Sequence, residues 1–256
     1  MIKCTYFWGR AEGVDSAIAE DWYSEFLQEE EALPGLRRLA SWRVREAPQP
    51  ADVKRSLNLF HRMTETWWDD EATWRDEHAS LLERNAVHGP VVDTLFTHLS
   101  AETPEYNLLR ETPPQHYPYI TMPIEWSTGK RPMVAELDGH DLWRYVYFFS
   151  YRDGVPHADG EDWYLGHHTR EGKQLPGLAH YVTWRRLGPP ENAIGASAEA
   201  RHFVRYTELC FEDFDTWHQV CYREGPRWHM SPEHGGVWGD YQQFFLGVAP
   251  DITFRR

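Results

Sequence analysis

The chain has 256 residues, 41% of them hydrophobic and 26% charged, with a formal charge of −14. That length suits one large domain or two of ordinary size around a substantial core. The charge argues against nucleic acid or an anionic membrane as partner, and no run of about 18 apolar residues is present to span a bilayer.

The first residues, Met1–Trp8, run into charge too early for a signal peptide and read as a strand. Three cysteines, Cys4, Cys210 and Cys221, have no metal spacing, so reduced thiols in a cytoplasmic protein are expected. Aromatic residues are abundant, with 13 Trp, 13 Tyr and 12 Phe. Such rigid apolar walls serve a core, a homo-oligomer interface or a pocket for an aromatic ligand.

In chain order, strand 2–8 precedes a helix at 15–31, with Asp15-Ser16 as N-cap, and a Leu33-Pro34-Gly35-Leu36 turn. Strands at 37–45 and 56–65, a helix at 69–86 and a strand at 91–98 complete the first series. A second series repeats it: strand 142–151, helix 159–173 capped at Asp159, turn Leu175-Pro176-Gly177-Leu178, strands 179–186 and 201–210, helix 212–223 and strand 241–248. Asp21-Trp22-Tyr23 matches Asp162-Trp163-Tyr164, and Met63-Thr64-Glu65 matches Tyr206-Thr207-Glu208. Partners lie 141, 142 and 143 residues apart in successive blocks, so the repeat is a duplicated domain and not a short solenoid unit.

The order β-α-β-β-α-β is the ferredoxin-like unit. The expected fold is therefore α+β: two fused ferredoxin-like repeats forming an α/β barrel within one chain. Residues 1–99 and 141–256 form the repeats, and the proline-rich stretch 100–140 forms an ordered connecting insert. A sheet with helices on one face must cover the other, so the two sheets are expected to face each other and enclose a cavity. The loop 225–240 is a candidate lid.

The stretch Trp163–Leu178 resembles the EthD-like branch of the dimeric α/β-barrel superfamily. The likeness lies in the aromatic pair Trp163-Tyr164, His168 four residues after Tyr164, and the turn beginning at Leu175. The first copy has Leu27 and Phe26 where that histidine would fall. The resemblance implies one working site, in the second half. It also implies a small-molecule enzyme without a cofactor: a lyase, isomerase or cyclase, or a cofactor-free monooxygenase. A haem-binding redox branch of the superfamily, with an axial histidine in the second half, is the alternative. A non-catalytic binder of an apolar ligand is a third reading.

His168 is the candidate general base, because imidazole takes and returns protons near neutral pH. Tyr164, one helical turn earlier, is positioned to orient it. Glu171 shares its helix face, whereas His167 points elsewhere. Arg62 and Arg205 occupy equivalent strand positions; facing inward, they would clamp a substrate carboxylate or phenolate. Tyr145, Tyr147 and Tyr181 are candidate hydroxyl donors to an aromatic substrate. His61 reads as a core histidine, and His229 and His234 as loop residues near the cavity. No dinucleotide, phosphate-loop, nucleophile-elbow or His-Glu-x-x-His motif occurs, and no metal ligand set is assigned.

Overall fold

The computed structural model describes residues 1–45, 61–82, 84, 91–104, 106–107, 142–172, 175, 177–187, 203–219, 237–246 and 250–256. Most of the connecting insert, the 225–236 loop, Cys221, His229 and His234 therefore lie outside the described residues, as does the side chain of Glu171.

The first sheet holds β1 (Ile2–Arg10), β2 (Leu36–Arg45), β3 (Arg62–Trp68) and β4 (Val92–Ala101). The second holds β6 (Trp143–Tyr151), β7 (Leu178–Arg185), β8 (Arg205–Phe211) and β9 (Trp238–Leu246). Their strand orders correspond, β4-β1-β3-β2 and β9-β6-β8-β7, and every pairing is antiparallel. Strand β2 pairs with β9 through Val44 and Leu246. At the opposite edges, Ser100 bridges Arg186 and Leu187 N donates to Leu99 O at 2.7 Å. The eight strands thus close into a barrel. A short β5 (Tyr106–Asn107), the described strand of the insert, extends the second sheet beside β7.

Helices cover the outside. In the first half these are α1 (Ser16–Glu31) and α2, which turns from an α-segment Glu71–Thr73 into a π-helical stretch Trp74–Ala79. In the second half α3 begins as His157–Trp163, becomes π-helical over Tyr164–His168 and ends as Thr169–Gly172, and α4 spans Phe214–Trp217. Asp15 caps α1 by accepting from Ala17 N at 2.7 Å. Asp159 is not the cap of α3; Pro156 holds that position and Asp159 lies in the first turn. β3 runs on to Trp68, three residues past the expected end, and Asp70 caps α2, which begins at Glu71.

Both strand faces are buried. Cys4, Tyr6 and Trp8 of β1 pack outward under α1 and α2, while Phe7 packs inward against Phe148. Three hydrophobic layers result: one beneath each helix pair and one between the sheets. A strand not anticipated from sequence, β10 (Ile252–Arg255), pairs with β2, so the C-terminal residues belong to the first sheet. Among the described residues, no helix is long and apolar enough to cross a membrane.

The two Leu-Pro-Gly-Leu turns dock in the same way. A Cβ on Gly35 would lie 2.1 Å from Thr73 Cγ2, and one on Gly177 would lie 2.3 Å from Thr216 Cγ2. Thr73 and Thr216 are fixed in turn, their backbone N–H groups donating to the caps Asp70 and Asp213 at 2.8 and 2.7 Å. Gly177 also has φ +70, a conformation that costs other residues about 1 kcal/mol. Both Gly→Ala variants are expected to lose roughly 1–3 kcal/mol by overpacking. Gly177→Ala should lose more than Gly35→Ala when their chemical unfolding midpoints are compared.

Candidate active site

One arrangement recurs beneath α1 and α3. In the first half Tyr23 O–H contacts Ser41 Oγ at 2.8 Å and Thr64 Oγ1 at 2.5 Å. Arg62 donates to Ser41 Oγ at 3.1 Å, to Glu20 at 2.6–3.2 Å and to Asp251 at 2.7 and 3.2 Å. In the second half Tyr164 O–H contacts Thr207 Oγ1 at 2.7 Å, and Thr207 contacts Thr183 Oγ1 at 2.9 Å. Arg205 donates to Thr183 at 3.4 Å and to Glu161 at 2.9 and 2.5 Å. Strand register equates Arg62 with Arg205 and Ser41 with Thr183.

This geometry corrects the expected anion clamp. Arg62 and Arg205 do not face the space between the sheets. Each lies on the outer face of its own sheet, almost fully buried and paired with a carboxylate of its own helix. The physical reason is desolvation: a guanidinium under a helix needs a paired carboxylate, and Glu20 and Glu161 supply it. Each precedes the Asp-Trp-Tyr echo by one residue, so the repeated Glu was legible in the sequence. His61 is not a core histidine; its Nε2 lies 2.7 Å from Glu20 at the partly exposed end of this network.

Burial works to raise the Glu20 carboxyl, but Arg62, His61 and Arg43 outweigh it and hold it at about 2 against an ordinary 4.5. A depressed carboxylate stabilises the fold above its unfolded value, and that contribution is lost as pH falls through the folded one. The wild type should therefore lose stability from pH about 4.5 down towards 2, and Glu20→Gln should flatten this limb in denaturation curves taken across that range.

Against this shared background the second half differs at three places. His168, 7% exposed, stands where α1 has the apolar residues Phe26 and Leu27, and its ring stacks on Tyr164 at 5.3 Å and packs against Trp163 at 5.2 Å. Tyr181 replaces Leu39: Leu39 pairs with Thr66 and Tyr181 with the equivalent Leu209. Gly172 replaces Glu30, since Leu33 N donates to Glu30 O as Leu175 N donates to Gly172 O, both at 3.1 Å. Three phenol oxygens consequently converge: Tyr147 to Tyr164 at 3.4 Å, Tyr147 to Tyr181 at 3.3 Å and Tyr164 to Tyr181 at 3.2 Å. Burial, and then the neighbouring phenols, push Tyr147 and Tyr181 well above the ordinary tyrosine value. Tyr145 stands beside them, its ring 5.9 Å from that of Tyr147. His168, Tyr164, Tyr145, Tyr147, Tyr181 and Arg205 thus share one layer, from which Arg62 is separate. Tyr164 meets His168 by ring stacking, with its hydroxyl directed to Thr207 and the other phenols. His167 is exposed.

The first half fills the same layer differently. Trp74 Nε1–H donates to His78 Nδ1 at 2.8 Å, His78 Nε2 contacts Glu30 Oε1, and Tyr6 O–H donates to Glu30 Oε2 at 2.7 Å. Trp74's donation leaves the imidazole proton on Nε2, facing the carboxylate. Glu30 and His78 are wholly buried, and this chain closes on itself.

The inner layer holds charge where a cavity was expected. Lys3 Nζ lies 3.0 Å from Glu65 and 3.2 Å from the Trp184 ring centroid. The equivalent pair, Arg144 and Glu208, bonds at 3.0 and 2.5 Å. Tyr206 donates to Glu65 at 3.2 Å and also contacts Glu208. His98 is buried beside Phe148 and Tyr206, and burial and nearby cations hold it neutral. Sequence reading missed this set, although Lys3/Arg144 and Glu65/Glu208 recur at the repeat spacing.

A haem beneath α3 requires a flat volume and an imidazole edge directed at its centre. The His168 ring instead lies nearly parallel to Tyr164, at 23°, and Phe149, Tyr147 and Tyr181 pack around that phenol, with Phe149 4.6 Å from it. In this packing the described residues of the layer do not fit a porphyrin. Among them, no group of three or more His, Cys, Asp or Glu is placed to hold a metal ion.

No protein family's sequence profile matches the chain. No curated protein sequence matches it either. Among solved structures it is similar to an anthrone oxidase-like protein, with 11% identity, TM-score 0.56, and coverage of 99% of this chain and 92% of the other. A chlorite dismutase variant from Candidatus Nitrospira defluvii gives 10% identity and TM-score 0.49 over 97% and 91%. A dye-decolorizing peroxidase from Bacteroides thetaiotaomicron gives 8% and 0.45 over 96% and 92%. At such identities the likeness to the first shows the fold alone, an α/β barrel of two antiparallel sheets.

Proposed function

We propose that the chain is a tandem-duplicated, EthD-like α/β barrel acting as a cofactor-independent enzyme on a small aromatic or polyketide-like molecule in the cytoplasm. One observation carries this reading. On the corresponding scaffold of the second half, His168 and Tyr181 stand where the first half has apolar residues, Phe26 and Leu27 for the one and Leu39 for the other. Groups present in both halves, Arg62/Glu20 and Arg205/Glu161, are explained by the fold they hold together. Groups that differ between the halves are the candidates for function, since ionisable side chains beneath a helix are costly.

In this reading His168 takes a proton from an acidic C–H or O–H of the substrate. The bonding electrons move onto the adjacent oxygen, and the imidazolium returns the proton at another atom. Isomerisation, cyclisation or elimination follows from where that proton returns. A cofactor-free oxygenase is the same first step with O₂ as the acceptor of the carbanion's electrons. The π-helical stretch Tyr164–His168 suits a functional site, since such turns are frequent there.

The test is hydrogen exchange, which needs no knowledge of the full reaction. Aromatic ketones incubated with the protein in D₂O should gain deuterium at the acidic carbon faster than in buffer. A panel of anthrone-, naphthol- and acetophenone-type compounds showing no acceleration would sink the reading.

A further inference from the structure

The two seams of the barrel are built alike, with the halves exchanging parts. Strand β2 ends the first four-stranded set, and β7 ends the second. The free edge of β2 is covered by the second half: Leu246 of β9 pairs with Val44, and Ile252 and Thr253 of β10 pair with Ser41 and Ala40. The free edge of β7 is covered by the first half in the same register. There Ser100 of β4 bridges Arg186, and Tyr106 and Asn107 of β5 pair with Thr183 and Val182. Ser41 corresponds to Thr183, as Ser41 pairs with Thr64 and Thr183 with Thr207. Leu246 corresponds to Ser100, as Arg144 pairs with Leu246 and Lys3 with Ser100. The same patch is used on both halves, each giving an arm and receiving one. That is the pattern of a self-complementary two-fold interface, made here between two parts of a single chain.

We infer that these seams with their exchanged arms, and not the covalent connection, hold the barrel together, so that the docking surface on each half has the other half as its partner. The C-terminal arm shows how such an arm seats. Its backbone is tied at both ends, Asp251 N–H donating to Ser41 O at 3.0 Å and Arg256 N–H to Arg37 O at 2.9 Å. The Asp251 carboxylate accepts from Arg62 at 2.7 and 3.2 Å, and Arg62 is almost fully buried. Without the arm that guanidinium keeps only Glu20 as its acid, a costly loss for a buried charge. The Arg256 guanidinium donates to the carbonyls of Glu31 and Leu33 at 2.9 Å and of Pro34 at 3.1 Å. These carbonyls end α1, whose last turn has no basic residue of its own. The arm therefore supplies the cation that a helix C-terminus favours. Three elements of the first half, α1, β2 and β3, thus depend on residues at the far end of the chain. In return, β5 lies along β7, the strand carrying Tyr181 and Thr183. The second half is completed by the first, whatever reaction His168 serves.

The test opens the covalent connection. A recognition site for a sequence-specific protease is placed within residues 110–140 of the full chain, and the purified protein is cut to completion. The two fragments should elute together at the volume of the uncut protein and part only in denaturant. The unfolding midpoint of the cut protein should rise with protein concentration, as it does for a dimer, while that of the uncut protein stays fixed. Fragments that elute apart would overturn the inference, since the connection would then be what holds the halves. A second comparison isolates the arm. Cut protein lacking residues 251–256 should dissociate about tenfold or more readily than cut wild type, because a buried charge pair crosses the seam there. Should the truncated chain fail to fold, Asp251→Ala takes its place, as it keeps the backbone ladder of β10. Equal dissociation with and without the arm contacts would make the arm a passive tail and overturn its part in holding the halves.

Discussion

His168→Ala is expected to lower deuterium exchange into a responsive aromatic ketone by about 10²–10⁴-fold, the usual contribution of a positioned general base. Substrate binding should survive, because the phenols and the aromatic walls remain. The bland alternative, a helix histidine of no consequence, predicts no change. Its usual setting is open solvent, whereas this imidazole is 7% exposed and packed between Trp163 and Tyr164. Loss of that packing could itself lower activity, so a second substitution separates the causes. His168→Phe keeps a ring against Tyr164 and removes the nitrogen; it should lose exchange as fully as His168→Ala. Added imidazole should restore part of the rate to His168→Ala and none to His168→Phe. Exchange that persists at the wild-type rate in both variants would dismiss His168 as the base.

Much of the fold was legible because the chain states it twice. Strand β6 runs Trp143–Tyr151 where the β-branched and aromatic run was read at 142–151, and the turns fall where Leu-Pro-Gly-Leu recurs. What alternation could not supply was which face looks where. In a sheet with one wet face, polar residues mark the outside; here one face packs on the partner sheet and the other under helices, so both read as apolar. Tyr145 and Tyr147 were seen to share a face, yet nothing in their spacing said that it lies beneath α3. The arginines misled for the same reason: Arg62 and Arg205 look like inward clamps until Glu20 and Glu161 are seen one turn before Tyr23 and Tyr164.

The candidate site was legible in the residues that come together and not in how they are arranged. His168, Tyr164, Tyr147 and Tyr181 were named from motif and strand position, and the fold brings them together. Thr183 and Thr207 were passed over, since threonine in a strand signals only β-propensity. Gly172 and Glu30 carry information only as a pair. Their equivalence depends on a turn hydrogen bond that no single-residue reading contains.

Arg144→Ala is expected to cost about 3–5 kcal/mol, more than any other single truncation considered, because it leaves carboxylates uncompensated between the sheets. Arg144 is the main partner of Glu208, lies 3.7 Å from Glu65 and stacks 4.2 Å from the Trp42 ring. Lys3 alone would then face two buried acids from opposite halves. Burial works to raise Glu65, but Lys3 and Arg144 outweigh it and hold it below the usual carboxylate value. A depressed acid stabilises the fold above its unfolded value, and that support is lost on acidification through the folded value. Removing Arg144 takes away part of the depression, so the deficit of the variant should be largest at neutral pH and narrow as the solution is acidified. Chemical denaturation at neutral and acid pH measures both. The double variant Arg144→Met/Glu208→Leu should regain much of the loss, because a buried ion pair replaced by apolar groups of similar size is often neutral. An Arg144→Ala protein unfolding at the wild-type midpoint would mean that the charges contribute nothing, leaving Phe7, Phe148 and Tyr206 to hold the two sheets together.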